Sequence, residues 1–166
     1  MASVDILPFE LRYPHGAEPT LREQLIALDL AQSAGALLVH DSKHFDSPLE
    51  RYQEIYDRLM IDCTLTDTVV ARDPSGEIVG VAMYNLETPE PVDAELSIFA
   101  VSAEVRGRKI GSQLLRYVEH DVVKAGLDSV SLKSTSSARR IYAHKGYVPT
   151  NKFGRYYIGM TKNLVH

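Results

Sequence analysis

The stretch VRGRKIGSQLL, Val105–Leu115, decides how the chain is read. Arg106, Arg108 and Lys109 supply three cations, Gly107 and Gly111 supply two residues without a side chain, and an apolar run follows. The first N–H groups of a helix have no partner inside it, and the aligned peptide dipoles put about half a positive charge there. A phosphate or diphosphate meets both needs. Glycine, lacking Cβ, lets the backbone come close to such an anion. Arg106–Ser112 also fit a plain glycine-containing first turn with a solvated basic end, so the surroundings must decide.

Outward from this stretch the chain alternates strands and helices. AELSIFAV before it reads as a short, largely buried strand. RGRKIGSQLLRYVEHDVVKAG reads as a helix, since Ile110, Leu114, Val118 and Val122 repeat every four residues and Gly126 marks its end. SVSLKS is a further strand, SSARRIYAHKG a short helix closed by Gly146, and GRYYIGMTKNL a closing strand. Upstream, TVVARDPSGEIVGVAMYNLE is a hairpin turning at Asp73-Pro74-Ser75-Gly76, and ETPEPVD an acidic loop. FELRY, Phe9–Tyr13, reads as the first strand. Two helices follow it: one capped by Thr20 with Glu23, presenting Leu21, Leu25 and Leu28, the other capped by Ser47 with Pro48 and Glu50. The second carries the apolar stripe Leu49, Tyr52, Ile55, Tyr56 and Leu59. The order βααβββαβαβ(β) predicts an α/β fold, a mixed sheet with helices on both faces, in one domain over residues 1–166.

Composition narrows the classes. Apolar residues make up 45% and charged residues 24%, ordinary for a globular domain. No run of 18 apolar residues appears, so no membrane span is expected, and the N-terminus does not read as a secretory signal. Cys63 is the one cysteine, which excludes an internal disulfide and fits a reducing, cytoplasmic compartment. No His/Cys cluster has metal-ligand spacing, so no metal is expected. The net charge of -4 hides a division: residues 41–100 carry thirteen acids against four bases, and residues 101–166 four acids against twelve bases. Either surface charge drifts along the chain, or the C-terminal part binds an anion and the middle part a cation.

RGRKIGSQLL after LSIFAVSAEV resembles the acetyl-CoA-binding motif of the GNAT superfamily, the Gcn5-related N-acetyltransferases, which reads Arg/Gln-x-x-Gly-x-Gly/Ala. Arg106 and Gly111 match its first and last positions, and Lys109 stands where the middle glycine is usual. ARRIYAHKGYVP is similar to that family's Ala-x-x-x-Tyr-x-x-x-Gly-Phe/Tyr segment at Ala138, Tyr142, Gly146 and Tyr147, though STSS replaces the asparagine often found before the alanine.

The resemblance implies transfer of an acetyl group from acetyl-CoA to an amine without a covalent acyl-enzyme. A free amine has a pKa near 10 and must lose a proton before it attacks. On the family pattern Tyr142 is the acid that protonates the leaving sulfur, and Glu95 is the base; a solvated strand-edge carboxylate is the plain alternative for Glu95. Asp93, Glu87, His40 and His44 are reserve candidates. Backbone N–H groups from Arg106 through Gly107, Arg108, Lys109, Ile110 and Gly111 to Ser112 would hold the pyrophosphate, and Ala100 and Val101 would pair with the pantetheine. Arg139, with Arg140 and Lys145, would meet the 3′-phosphate or simply form a solvated helix face. Tyr156 and Tyr157 either touch the acceptor or pack, and Cys63 receives no role.

The charge division then suits a polyanionic cofactor and a small cationic or peptide amine. It argues against a nucleic-acid groove, with action on aminoacyl-tRNA kept as an alternative. A homodimer is the expected assembly if the family habit holds. A non-catalytic acetyl-CoA-binding module and a plain nucleotide-binding α/β domain are the competing readings.

Overall fold

The computed structural model describes residues 4–9, 67–86, 93–153 and 157–164, together with Ile26, Ala27, Asp29, Ser47, Glu50, Gln53, Glu54 and Asp57; for residues 151–153 it describes the backbone alone. The elements are β1 (Asp5–Pro8), β2 (Asp67–Arg72), β3 (Ile78–Asn85), β4 (Asp93–Val101), a 3-10 turn (Ala103–Val105), α1 (Ile110–Lys124), β5 (Ser129–Ser134), α2 (Arg139–Ala143), β6 (Val148–Phe153) and β7 (Ile158–Asn163). The strands form one mixed sheet in the order β1-β2-β3-β4-β5-β7-β6. All neighbours run antiparallel except β4 and β5, which are parallel and joined through α1. The α/β fold and mixed sheet expected from the element order are therefore present.

The hairpin turns where the sequence predicted. Asp73 Oδ1 accepts from Ser75 N–H at 2.9 Å, Ser75 Oγ at 2.6 Å and Glu77 N–H at 3.0 Å, an Asx turn that brings β2 back as β3. Ser47 Oγ accepts from Glu50 N–H at 3.2 Å, the expected helix cap, and Glu50, Gln53, Glu54 and Asp57 are helical. Ile26, Ala27 and Asp29 are helical within the first expected helix, while Thr20, Glu23 and the stripe leucines lie outside the described residues. The first described strand is Asp5–Pro8, which the sequence reading did not assign; of the expected Phe9–Tyr13, Phe9 follows this strand and residues 10–13 lie outside the described residues. Pro8 ends it, because proline brings no N–H to a further rung, and Phe9 N–H makes one last bond to the Thr68 carbonyl at 2.8 Å.

Helix α1 lies on one face of the sheet. Ile110, Leu114, Leu115, Val118 and Val122 are buried against Val69, Ala71, Ala82, Tyr84, Ala94, Leu96, Val130, Leu132 and Met160. Gly80 sets how close the helix comes, since a Cβ there would stand 2.7 Å from Leu114 Cδ1. Two polar contacts fix the helix. The Tyr84 hydroxyl donates to Asp121 Oδ2 at 2.7 Å, and Lys162 Nζ reaches both Glu119 oxygens at 2.8 Å. The Tyr84 pKa is raised, first by burial and then by this hydrogen bond.

Strand β4 carries a bulge that turns its second half over. Met83 pairs with Ile98 and Tyr84 with Leu96, so Ser97 has no partner on β3. Beyond it Phe99 and Val101 join Ala94 and Leu96 on the α1 side, while Ile98 and Ala100 are buried outside that cluster. Among the described residues no helix is long and apolar enough to cross a membrane.

Candidate active site

Strands β4 and β5 begin as partners and then part. Asp93 pairs with Ser129, and the ladder runs to Leu96 opposite Leu132. There it stops, although β4 continues to Val101 and β5 to Ser134. Ala100 and Val101 pair with Val81 and Gly80 of β3 on one edge and, among the described residues, have no strand on the other. Their open edge offers backbone groups to an extended ligand, as an exposed strand does for an added one. A crevice beyond the carboxyl ends of strands is the usual ligand site of α/β sheets.

Helix α1 starts at this gap. The sequence reading began the helix at Arg106; it begins at Ile110, and residues 106–109 form a turn after the 3-10 segment. Gly107 takes φ 80° and Lys109 φ 64°, both left-handed, so no helix can run through them. Lys109 thus adopts a left-handed backbone shape that glycine takes freely, at a cost of about 1 kcal/mol for its Cβ. Among the described residues no side chain caps α1, and its first turn holds no acidic residue. Gln113 N–H bonds to the Lys109 carbonyl at 3.1 Å, while the N–H groups of Ile110, Gly111 and Ser112 have no partner among the described residues. Arg106, Arg108 and Lys109 are exposed around them. Three open donors, a helix dipole and three cations fit a diphosphate.

Gly111 faces the sheet. A Cβ on it would meet the Phe99 ring and Val101 Cγ2 at 3.6 Å, ordinary contact, so that direction points into the sheet and not towards the turn's open donors.

Tyr142 lies on α2 beside the gap. Its ring packs on Phe99 at 6.2 Å between centroids and edge-on to Tyr147 at 5.7 Å. Burial pushes its pKa up to about 12, so the phenol stays protonated at neutral pH. Tyr147 is buried, and burial followed by the Glu119 carboxylate raises its pKa. Helix α2 closes as expected: Gly146 takes φ 89°, and Tyr147 N–H bonds to the Tyr142 carbonyl at 3.1 Å. In place of the usual asparagine, Thr135 Oγ1 receives Ala138 N–H at 3.3 Å and opens the turn into α2.

Glu95 sits on β4 opposite Asn85 and Ser131, one residue before the ladder ends. Its carboxylate is partly exposed and stands 3.7 Å from Lys133 Nζ. Asp93, a reserve candidate, receives the Ser129 hydroxyl. Arg139, Arg140 and Lys145 are exposed on and after α2, and Tyr157 is exposed near Lys133. Glu87, His40, His44, Cys63 and Tyr156 lie outside the described residues. Sequence reasoning missed Phe99 and Lys133. Phe99 could have been found by its place two residues before Val101; Lys133 depends on the parallel register of β4 with β5, which no local pattern reveals. Among the described residues no group of three or more His, Cys, Asp or Glu could hold a metal ion.

A model of the acetyltransferase (GNAT) family matches residues 36–147. Solved structures share the fold at low identity. The PaiA N-acetyltransferase of Thermoplasma acidophilum, in complex with coenzyme A, has a TM-score of 0.64 at 16% identity, covering 97% of this chain and 99% of that one. A GNAT-family acetyltransferase of Staphylococcus aureus gives 0.66 at 14% identity, covering 98% and 100%. The histone acetyltransferase HPA2 and related acetyltransferase of Corynebacterium glutamicum gives 0.63 at 22% identity, covering 98% and 97%. No curated protein matches the sequence.

Proposed function

The chain belongs to the GNAT acetyltransferase family, and on that footing we propose that it is an N-acetyltransferase, moving an acetyl group from acetyl-CoA directly to a primary amine of a small cationic or peptide acceptor. The observation that carries the reading is the parting of β4 from β5 beside an uncapped helix start. Open backbone edge and open N–H donors meet there, and they suit the two ends of one ligand, an amide-bearing arm and a diphosphate. Acetyl-CoA supplies the activated acyl group. The residues that would hold it are Ala100 and Val101 along the arm and Arg106 to Ser112 at the pyrophosphate, with Arg139 towards the 3′-phosphate.

In this reading Glu95 takes the proton from the acceptor ammonium, which would otherwise stay charged at neutral pH. Tyr142 gives its proton to the departing sulfur. A phenol with a pKa near 12 is fully protonated for that task, and the apolar stacking of Phe99 and Tyr147 holds the ring in one position. The acidic run through residues 41–100 draws a cationic acceptor. We read residues 1–166 as one domain, cytoplasmic, working without a metal and without nucleic acid, with a homodimer as its assembly.

The test is a panel of amines with acetyl-CoA, following thiol release. Turnover with at least one primary amine, lost in Tyr142→Phe and in Glu95→Gln, supports the proposal. Coenzyme A binding without turnover of any amine would leave a non-catalytic binding module instead.

A further inference from the structure

Lys133 is the first β5 residue past the last β4–β5 pair, Leu96 with Leu132. It shares a face of the strand with Ser131, the residue opposite Glu95. Its Nζ stands 3.7 Å from Glu95 Oε1 and 5.7 Å from the centre of the Tyr157 ring. Its cross-strand neighbour on β7 is Gly159, which has no side chain to crowd the stem. A primary amine on a flexible four-carbon chain therefore already lies beside the carboxylate proposed as the base, where the two strands open. Lys162 is the contrasting case. Both Glu119 oxygens hold its ammonium at 2.8 Å against the far part of α1, and its side chain is one-quarter exposed. The Lys133 side chain is 63% exposed and loosely held, so it can turn towards a bound acyl donor.

We infer that Lys133 is a self-acetylation site, modified in cis from acetyl-CoA; the inference rests on the acetyltransferase reading above. Glu95 takes one proton from the Lys133 ammonium. The neutral nitrogen then forms the amide C–N bond with the acetyl carbonyl carbon as the C–S bond breaks and the electron pair leaves with sulfur. The nitrogen loses its second proton, the sulfur gains one, and each transfer releases one proton to solvent. The product is a neutral acetyl-lysine that no longer pairs with Glu95, which leaves the carboxylate open to an external amine.

The experiment incubates the whole chain with trideuterated acetyl-CoA and no other amine, then maps label on every lysine over time. Label at Lys133 is expected to accumulate at a rate independent of protein concentration. That rate should exceed those of the exposed Lys124 and Lys145 by about tenfold or more and fall by a similar factor in Glu95→Gln, as loss of a general base requires. Light acetyl already on Lys133 of the isolated wild-type chain, absent from Glu95→Gln, counts equally in favour. Labelling of Lys133 no faster than Lys124 and Lys145, a rate unchanged by Glu95→Gln, or a rate proportional to protein concentration overturns it. If external amines are acetylated while Lys133 stays bare, this inference fails alone. If neither is acetylated, the acetyltransferase reading fails with it.

Discussion

At its C-terminal end α1 closes on itself. Gly126 takes φ 82°, its N–H bonds to the Val123 carbonyl at 3.0 Å, and Leu127 N–H bonds to the Val122 carbonyl at 3.1 Å. Its N-terminal end is left open. Lys109 holds a left-handed backbone there, no side chain caps the helix, and the N–H groups of Ile110, Gly111 and Ser112 have no partner among the described residues. One helix thus ends once in a self-sufficient motif and once in unmet hydrogen-bonding capacity bordered by cations. Unmet donors and a strained backbone are costly for folding alone, and both occur at the end that faces the gap between β4 and β5.

Tyr142, beside the gap, carries the greatest change. Tyr142→Phe should lower kcat by about 10²–10⁴-fold, the usual worth of a positioned acid, without weakening coenzyme A binding. Steady-state kinetics with a calorimetric binding measurement separates the two. A kcat equal to wild type would show that the open end binds without Tyr142 serving the chemistry.

Next comes the packed body of α1. Gly80→Ala drives a methyl to 2.7 Å from the buried Leu114 Cδ1 and should cost about 1–3 kcal/mol in urea unfolding, with coenzyme A affinity of the folded fraction unchanged. The alkaline limb of stability adds a third test. Tyr142 has a folded pKa of about 12 against about 10 unfolded, so the folded state keeps the proton longer. Its contribution is complete below pH 10 and is lost as pH rises through 12. Tyr142→Phe should flatten that part of the unfolding profile.

The smallest effects divide the open end itself. Lys109→Gly should stabilise the chain by about 1 kcal/mol by removing the left-handed Cβ, whereas Lys109→Ala, which keeps a Cβ, should not. Both should weaken coenzyme A binding equally if the ammonium helps hold the pyrophosphate. Chemical denaturation and binding titrations on the pair distinguish backbone from charge.

Much of this was readable from local signals. Asp73 to Gly76 spelled the hairpin turn, Ser47 with Glu50 the cap, Gly126 and Gly146 the helix ends, and the four-residue spacing from Ile110 to Val122 the buried face of α1. Each depends on neighbours within a few residues. DILP was not read as a strand because four residues ending in proline carry little local signal, and only pairing with β2 reveals it. The start of α1 was set too early because Arg106, Arg108 and Lys109 have no helix-breaking signature, although Gly107 and Lys109 turn left-handed. The Ser97 bulge, the parting after Leu96 and Leu132, and the meeting of Lys133 with Glu95 are matters of register between distant strands, which the sequence does not spell locally.

We propose that the open amides of α1 hold the diphosphate of coenzyme A. A ¹⁵N–¹H correlation spectrum of the chain, titrated with coenzyme A, tests it directly. The largest shifts are expected at the amides of Ile110, Gly111 and Ser112, reproduced by inorganic pyrophosphate, with those of Gly126 and Leu127 unmoved. Saturable coenzyme A binding that leaves Ile110, Gly111 and Ser112 unshifted would contradict it.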